Sequence, residues 1–312
     1  MKTKASAPGK VILFGEHFVV YGVKAILCAI DKRVTVFAEE NDTGLISIST
    51  EIGDLELEPD ISISKIEFPL RPFYFLANEF LENNKGIKIK VESDIPLGVG
   101  LGSSSACCVA AAAAISKLYA KKSTQEILEL AIEAEKTIFQ NTSGADCTVS
   151  AFGGMMIYDK EKGFVNIDTK LDFHLVIANS NLEHSTEEVV AKVKQFKDKN
   201  EEKFSELCTN ESKLIQNVLI LLKEKELEKI GKQVILNQKY LEQIGVSNNK
   251  LQEMIKIGDS ASFGSKITGA GGGGCIYALT DEAKLEETLN KFKINNFDCF
   301  SVKIDSKGLD TF

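Results

Sequence analysis

Short runs of alternating apolar and polar residues dominate the first half of the chain. Residues 87–92 read Ile-Lys-Ile-Lys-Val-Glu, which is the period-two pattern of a strand with one buried and one exposed face. Segments 33–38 and 45–49 are rich in β-branched residues and predict two further strands. The acidic stretch 51–64 predicts an irregular connection, and 72–83 predicts a helix. The first half therefore interleaves strands with helices.

The second half shows a helical period over a longer span. Residues 183–254 alternate charged and apolar side chains at helical spacing, which predicts several amphipathic helices. All five prolines lie in the first third of the chain, so none interrupts these helices. A helix is predicted at 281–292, and strands are predicted at 155–158, 173–179, 263–267, 275–279 and 298–304. The pattern indicates an α+β protein in two parts, with a boundary between about 165 and 180.

Composition narrows the protein class. The 312 residues suffice for two domains, and 44% apolar with 26% charged residues is a globular balance. The net charge of −8 argues against nucleic-acid binding, although local glycine loops can still hold a small anion. Seven cysteines without a C-x-x-C pair predict reduced core thiols. The absence of a signal-like start and of a membrane-length apolar run predicts a cytoplasmic protein without a membrane partner.

A glycine-rich segment at 96–106 is the most informative part of the chain. It reads Pro-Leu-Gly-Val-Gly-Leu-Gly-Ser-Ser-Ser-Ala, between a predicted strand and an alanine-rich helix that reaches about Ala120. Glycines leave backbone N–H groups unobstructed, and a helix start adds free donors and a positive dipole end, which together can cradle phosphate. A tight turn with a serine N-cap explains the same residues. The spacing fits neither a Walker A loop nor a dinucleotide fingerprint.

Two acidic residues are candidates for chemistry. A helix is predicted from Ser123, where Glu126 completes a capping signal, and Glu135 lies on its apolar stripe. A buried carboxylate needs a cation or strong hydrogen-bond donors, so Glu135 is either a metal ligand or part of a structural salt bridge. Asp146 ends the loop Asn-Thr-Ser-Gly-Ala-Asp, where it is either a positioned base or the N-cap of a turn or short helix.

Both ends of the chain carry further motifs. Residues 7–17 read Ala-Pro-Gly-Lys-Val-Ile-Leu-Phe-Gly-Glu-His, so that Lys10 and the pair Glu16 and His17 flank an apolar run. Residues 266–275 read Lys-Ile-Thr-Gly-Ala-Gly-Gly-Gly-Gly-Cys. So many glycines lose much backbone entropy on folding, which indicates that the backbone must approach something closely.

In this order the four segments resemble the GHMP kinases, the family named for galacto-, homoserine, mevalonate and phosphomevalonate kinases. Three segments are similar to those of the members that phosphorylate mevalonate: the first segment, Gly-Val-Ser at 245–247 and the glycine-rich end. The resemblance spans nearly the whole chain. It implies a two-layer α+β fold with a deep cleft between an N-terminal mixed-sheet domain, residues 1–170, and a helix-rich C-terminal domain, residues 171–312.

The resemblance also implies a role for each motif. Lys10 and Asp146 match the pair at the phosphoryl acceptor, and Ser104 and Glu135 match the ligands of Mg²⁺, with Ser103 as an alternative to Ser104. The residues that match the ATP phosphate loop are Pro96, Gly98, Gly100, Leu101, Gly102, Ser103, Ser104 and Ser105. The residues that match the substrate pocket and its closing loop are Glu16, His17, Gly269, Ala270 and Gly271.

Two departures from the family pattern accompany these matches. Residues 139–142 read Phe-Gln-Asn-Thr where many such kinases have His-Gly-Asn-Pro, and Ser105 stands where alanine is commoner. The expected activity is ATP- and Mg²⁺-dependent phosphorylation of mevalonate on its primary hydroxyl. The sequence leaves open another kinase of the family acting on phosphomevalonate, homoserine or a sugar. It also leaves open a non-catalytic ATP-binding regulator, a plain α/β domain whose glycines serve turns, and a homodimer.

Overall fold

A mixed sheet of eight strands organises the first half of the chain in this computed structural model, which describes residues 1–81, 85–96, 98–140, 142–159, 162–169, 171–183 and 185–312. Its strands are β1 (Lys2–Phe14), β2 (Ala25–Asn41), β3 (Ile46–Thr50), β4 (Gly53–Leu57), β5 (Gly86–Ser93), β6 (Met155–Asp159), β7 (Gly163–Asn166) and β12 (Asp310–Thr311). They lie in the order β12-β1-β2-β5-β3-β4, and β6 pairs with the start of β2 and carries β7. Among these described strands only β3 and β5 run parallel. In β5 the isoleucines are buried and the lysines exposed, as the alternation predicts.

A helical layer covers this sheet. Its helices are α1 (Arg71–Phe80), α2 (Ser103–Tyr119), α3 (Thr124–Lys136) and α4 (Ala145–Phe152). Helix α2 packs on β1 and β2 and contacts the other three helices. Its alanines at 110–114 are all buried, because their small side chains let the backbone approach neighbours on every side. This packing confirms the predicted central alanine-rich helix and fixes the direction of its N-terminus.

The second half is built on a smaller antiparallel sheet. Its strands, in the order β11-β8-β10-β9, are β8 (His174–Asn179), β9 (Gly264–Ile267), β10 (Cys275–Thr280) and β11 (Cys299–Val302). The helices of this half are α5 (Thr186–Lys199), α6 (Glu201–Glu224), α7 (Leu227–Gln243), α8 (Asn249–Asp259) and α9 (Glu282–Ile294). The α+β class and the helix-rich second half are confirmed. The division at 170/171 stays a prediction.

The two halves meet along the end of β1. The Tyr277 hydroxyl donates to the Leu13 carbonyl over 2.8 Å, and the Thr268 hydroxyl accepts from the Ile12 N–H over 3.2 Å. The C-terminal segment then returns to the first sheet, where the Leu309 N–H donates to the carbonyl of Ala151 in α4 over 2.9 Å. The chain ends are therefore part of the scaffold that holds α4.

Arg33 anchors this returning segment. Its guanidinium pairs with the Asp305 carboxylate and donates to the carbonyls of Ser6, over 2.8 Å, and Gly308, over 2.6 Å. The Asp305 carbonyl in turn accepts from the Gly154 N–H just beyond α4, over 2.7 Å. A planar cation with several donors suits such a junction of separate backbone segments.

Three local expectations were wrong or incomplete. Strand β1 begins at Lys2, well before the apolar run at 11–14. Strand β4 lies inside the segment predicted to be irregular. Helix α4 is the short helix that was foreseen, but its N-cap is Gly144 rather than Asp146. Strand β1 extends over its whole length because it pairs with β2, and β4 forms because it pairs with the adjacent β3. Helix α1 ends at Phe80, and residue 83, the predicted end, lies outside the described residues.

All seven cysteines are free, which confirms the prediction of reduced thiols. No single helix in the described part of the chain combines the length and apolarity of a membrane span; the pair α2 and α3 does so only when both are counted together across a 119° bend.

Candidate active site

Lys10 lies in the middle of β1 beside the start of α2. Its backbone N–H donates to the carbonyl of Leu101 over 2.8 Å, and its side chain crosses the face of Gly102. A Cβ on Gly102 would lie 2.7 Å from Cγ of Lys10, and the φ of Gly102 is +74°, so only glycine fits there. The glycine loop thus packs directly on the lysine stem.

The Lys10 ammonium reaches the carboxylate of Asp146, with 3.1 Å between Nζ and Oδ2. The lysine side chain is 6% exposed and the aspartate side chain 33% exposed. Asp146 occupies the first turn of α4, where the helix dipole favours a negative charge. The pair therefore presents an accessible carboxylate backed by a buried cation.

The glycine loop opens onto this pair. The structure describes all of it except residue 97, and Gly98 and Gly100 are exposed between the buried side chains of Val99 and Leu101. A Cβ added at either of these glycines would meet nothing within 4 Å, so both backbones border open space. Gly102 is the N-cap of α2 and offers no side chain to occupy the first N–H groups of the helix. The role of this loop as a phosphate cradle stays a prediction.

The remaining members of the predicted loop take different environments. Pro96 is exposed, Ser103 and Ser104 are half-buried, and Ser105 is buried. The serines occupy the first turn of α2, where Ser105 faces inward toward α3. Hydroxyl oxygens at this position can serve a phosphate, a cation or a neighbouring carboxylate.

Glu135 is only 3% exposed at the end of α3, as its place on the apolar stripe predicts. The hydroxyls of Ser105 and Thr142 donate to its two carboxylate oxygens. Burial of a carboxylate is thus compensated by two hydrogen-bond donors. The structure brings Ser105 rather than Ser104 to Glu135, and sequence reasoning missed Thr142.

These two hydroxyls coincide with the two departures from the family pattern. Ser105 replaces the commoner alanine, and Thr142 replaces the commoner proline. Both changes add a donor to one buried carboxylate, so we expect them to act together.

We expect Ser105→Ala and Thr142→Val each to lower the free energy of unfolding by about 1.5–3 kcal/mol, because each leaves a buried carboxylate oxygen without its donor. The free energy of unfolding lost in the double variant should differ from the sum of the two single losses, since the two hydrogen bonds share one carboxylate. Urea unfolding of the four proteins measures this, with Ser205→Ala on the exposed face of α6 as the control. Losses equal to the control would contradict the expectation.

Glu16 and His17 follow the end of β1. Glu16 is buried, and its carboxylate pairs with the ammonium of Lys266 in β9. Nε2 of His17 lies 2.7 Å from the carbonyl oxygen of Ala270, which assigns the N–H to Nε2 and leaves Nδ1 as an acceptor. Burial lowers the pKa of His17, so its ring is neutral at pH 7. Sequence reasoning quoted Lys266 without giving it a role; its signal is a lysine just before a glycine run.

The backbone of His17 is strained. Its φ of +62° with ψ of −45° is outside the regions that a residue with a side chain normally adopts. Such strain persists only where the surrounding contacts hold it, and it concentrates at functional sites. Here the contacts come from the Glu16–Lys266 pair and from Ala270.

The glycine-rich end faces the phosphate-loop candidate. A Cβ on Gly269 would lie 4.0 Å from the carbonyl oxygen of Gly100, so the two glycine segments approach each other. The N–H of Gly272 donates to the Val246 carbonyl over 2.7 Å, and the Asn248 side chain donates to the Gly272 carbonyl over 2.9 Å. Ala270 is half-buried and Gly271 is buried. The segment is therefore fixed by the α7–α8 connection.

Two family models match the chain: the GHMP kinases N terminal domain over residues 69–154 and the GHMP kinases C terminal over residues 218–298. The first range contains the glycine loop, Glu135 and Asp146, whereas Lys10 lies before it. Full-length relatives extend the match across both halves, as described next. The chain belongs to the GHMP kinase family.

Within that family, several relatives that match over nearly the full length are mevalonate kinases. The mevalonate kinase of Thermococcus onnurineus is 36% identical, and that of Thermococcus sibiricus 34%, each over 99% of this chain and 98% of its own. The crystal structure of the Methanococcus jannaschii mevalonate kinase superposes with a TM-score of 0.87 at 28% identity, covering 97% of this chain and 98% of that one. The similarity thus includes the N-terminal segment with Lys10 and Glu16.

Proposed function

We propose that this chain is a mevalonate kinase of the cytoplasm. It transfers the γ-phosphoryl group of ATP to the primary hydroxyl of mevalonate and releases ADP and 5-phosphomevalonate. The observation that carries the proposal is the Lys10–Asp146 pair, 3.1 Å apart beside an open glycine loop. The identity of 34–36% to mevalonate kinases over nearly the full length supports the substrate.

The nucleotide would lie with its phosphates on the backbone N–H groups of 98–105. This segment combines open glycine backbone with the start of α2, the arrangement that favours an anion. Phosphoryl transfer needs positioning and charge neutralisation above all, and fixed amides provide both. The glycine segment 269–274 would close over the opposite side.

The side chains near the phosphate loop fit Mg²⁺, because the carboxylate of Glu135 and the hydroxyl of Ser104, or of Ser103 as the alternative, are oxygen ligands. Among the described residues no group of three or more His, Cys, Asp or Glu side chains could hold a metal. The protein would therefore supply one carboxylate, with ATP phosphates and water completing the shell. The ion's chemistry is neutralisation of charge on the β- and γ-phosphate oxygens.

Asp146 would accept the proton of the attacking hydroxyl as the new O–P bond forms and the bond to the ADP oxygen breaks. The Lys10 ammonium would offset negative charge as it gathers at the transferred group. Nδ1 of His17 would accept a hydrogen bond from the substrate, with residues 269–271 at the pocket wall. Glu16 would contribute to the pocket indirectly, because its carboxylate is buried and paired with Lys266. The site would lie between domains 1–170 and 171–312.

An ATP-coupled assay with mevalonate, phosphomevalonate, homoserine and galactose tests the proposal. We expect turnover with mevalonate at roughly 1–100 s⁻¹ and at least about 100-fold lower kcat/KM for the other alcohols. A higher kcat/KM with another alcohol would assign a different kinase of the family. A rise in Tm with ATP but no turnover of any alcohol would indicate a non-catalytic regulator.

A further inference from the structure

A cluster of four buried polar side chains lies behind the acceptor side of the site. Glu16, at the end of β1, is 1% exposed, and Glu211 of α6, Asn237 of α7 and Lys266 of β9 are 0% exposed. We call these four residues the carboxylate cluster. The mechanism above uses neither Glu211 nor Asn237.

The lysine of the cluster hydrogen-bonds Glu16 and not Glu211. Its ammonium donates to the Glu16 carboxylate and to the Ile267 carbonyl over 2.8 Å. It also lies 5.3 Å from the centre of the Tyr277 ring, over its face. The ammonium makes its two hydrogen bonds to Glu16 and to the backbone, and none to Glu211. Lys266 therefore neutralises Glu16.

Three acceptor atoms of the cluster lack a hydrogen-bond donor in the described part of the chain. Oε2 of Glu16, Oε1 of Glu211 and Oδ1 of Asn237 are buried without a hydrogen-bond partner among the described residues. The Nδ2 amide group of Asn237 donates to Oε2 of Glu211 over 2.5 Å. A proton on one carboxyl group would turn an unpaired acceptor into a donor and satisfy a second acceptor at the same time.

The charge balance also requires a proton. Two carboxylates with one ammonium leave a net negative charge out of contact with water, which is costly, and the nearby Lys10 ammonium is already paired with Asp146. The other titratable groups close to Glu211 bring no positive charge; they are Cys208, Tyr240 and Tyr277. Burial, with a smaller effect from the Glu16 charge, raises the pKa of Glu211 to about 8.

We propose that Glu211 is a neutral carboxylic acid at neutral pH and that its O–H group makes it a positioning residue for the Glu16–Lys266 pair. In the function proposed above, this pair would support both sides of the acceptor pocket. Glu16 immediately precedes the strained His17 in the chain. Lys266 shortly precedes Ala270, whose carbonyl accepts the hydrogen bond from His17. Ionised Glu211 would compete with Glu16 for the same ammonium and loosen this link.

The first test is the pH dependence of stability in Glu211→Gln. A carboxyl group whose pKa is higher in the folded protein than its ordinary value of 4.5 loses its stabilising contribution as pH rises from about 4.5 to about 8. The amide does not titrate, so Tm of Glu211→Gln should match the wild type near about pH 5 and exceed it by about 5 °C near about pH 9. Glu202→Gln, on the exposed start of α6, should show no such trend.

The stability of the same variant can also contradict the proposal. If a cation rather than a proton balances the cluster, or if Glu211 is ionised, Glu211→Gln should lose stability at every pH or fail to fold. A direct measurement complements it, namely the infrared difference spectrum of wild type minus Glu211→Gln. A carboxylic-acid C=O band at neutral pH that disappears in alkali supports the proposal, and the absence of that band overturns it.

The kinetic part rests on the function proposed above. KM for mevalonate of the wild type should rise at least about threefold between neutral pH and about pH 9, while KM for ATP stays level. Glu211→Gln should remove the rise. A rise that persists in the variant would show that Glu211 does not position the pocket. If mevalonate is no substrate, the stability and infrared tests still decide the protonation of Glu211.

Discussion

Asp146→Asn should lower kcat with mevalonate by about 10²-fold or more. Asparagine keeps the shape of the side chain but cannot take a proton, and the Lys10 ammonium 3.1 Å away loses the charge it faces. The start of α4 should be unchanged, because its N-cap is Gly144 and the aspartate side chain is not the cap. ATP binding, which depends on 98–105, should stay within about threefold.

Steady-state kinetics measures kcat, and calorimetric titration with ATP measures the affinity for the nucleotide. Asp54→Asn on the exposed side of β4 is the matched control and should leave both unchanged. A kcat for Asp146→Asn within about tenfold of the wild type, with normal ATP binding, would remove Asp146 from the role of base.

Lys10→Met should lower kcat by about 10²–10³-fold, the range typical for loss of one preorganised electrostatic contact. Methionine can fill the path that the lysine stem takes across Gly102, so packing is largely kept while the charge is removed. The lost ammonium both holds Asp146 in place and offsets charge at the transferred group. We therefore expect the loss in kcat rather than in folding.

A double-mutant cycle sharpens this test. If Lys10 and Asp146 act as one unit, the double variant should lose little more than the worse single variant. The control is Lys24→Met, which breaks an exposed lysine–aspartate pair with 3.6 Å to Asp159 and should leave kcat unchanged. Fully additive losses for Lys10 and Asp146 would show that the pair does not function together.

Much of the local structure could be predicted because its causes are local. The capping box of Ser123 and Glu126 starts α3 as its sequence indicates, and the alternation in 87–92 gives β5. The position of Glu135 on an apolar stripe predicts its burial, and its burial requires donors. In these cases periodicity or capping chemistry determines the outcome within a few residues.

The partners of the buried charges could not be predicted in the same way. The pattern at Glu135 indicates a cation or strong donors, but only the packing of α2 against α3 brings the Ser105 hydroxyl to it. The sequence gives Glu211 no distinction from the many exposed glutamates of the charged helices. Its burial depends on how α6 packs near β9 and the end of β1.

The sequence by itself determined the family resemblance, the glycine loop at the start of α2 and the residue types available for chemistry. These follow from spacing along the chain and from the conformations that glycine allows. Only the tertiary structure decided which of those residues meet: Lys10 with Asp146, Ser105 with Glu135, and Glu16 with Lys266 across 250 residues. Such contacts depend on how sheets and helices pack, and packing is a property of the whole chain rather than of any segment.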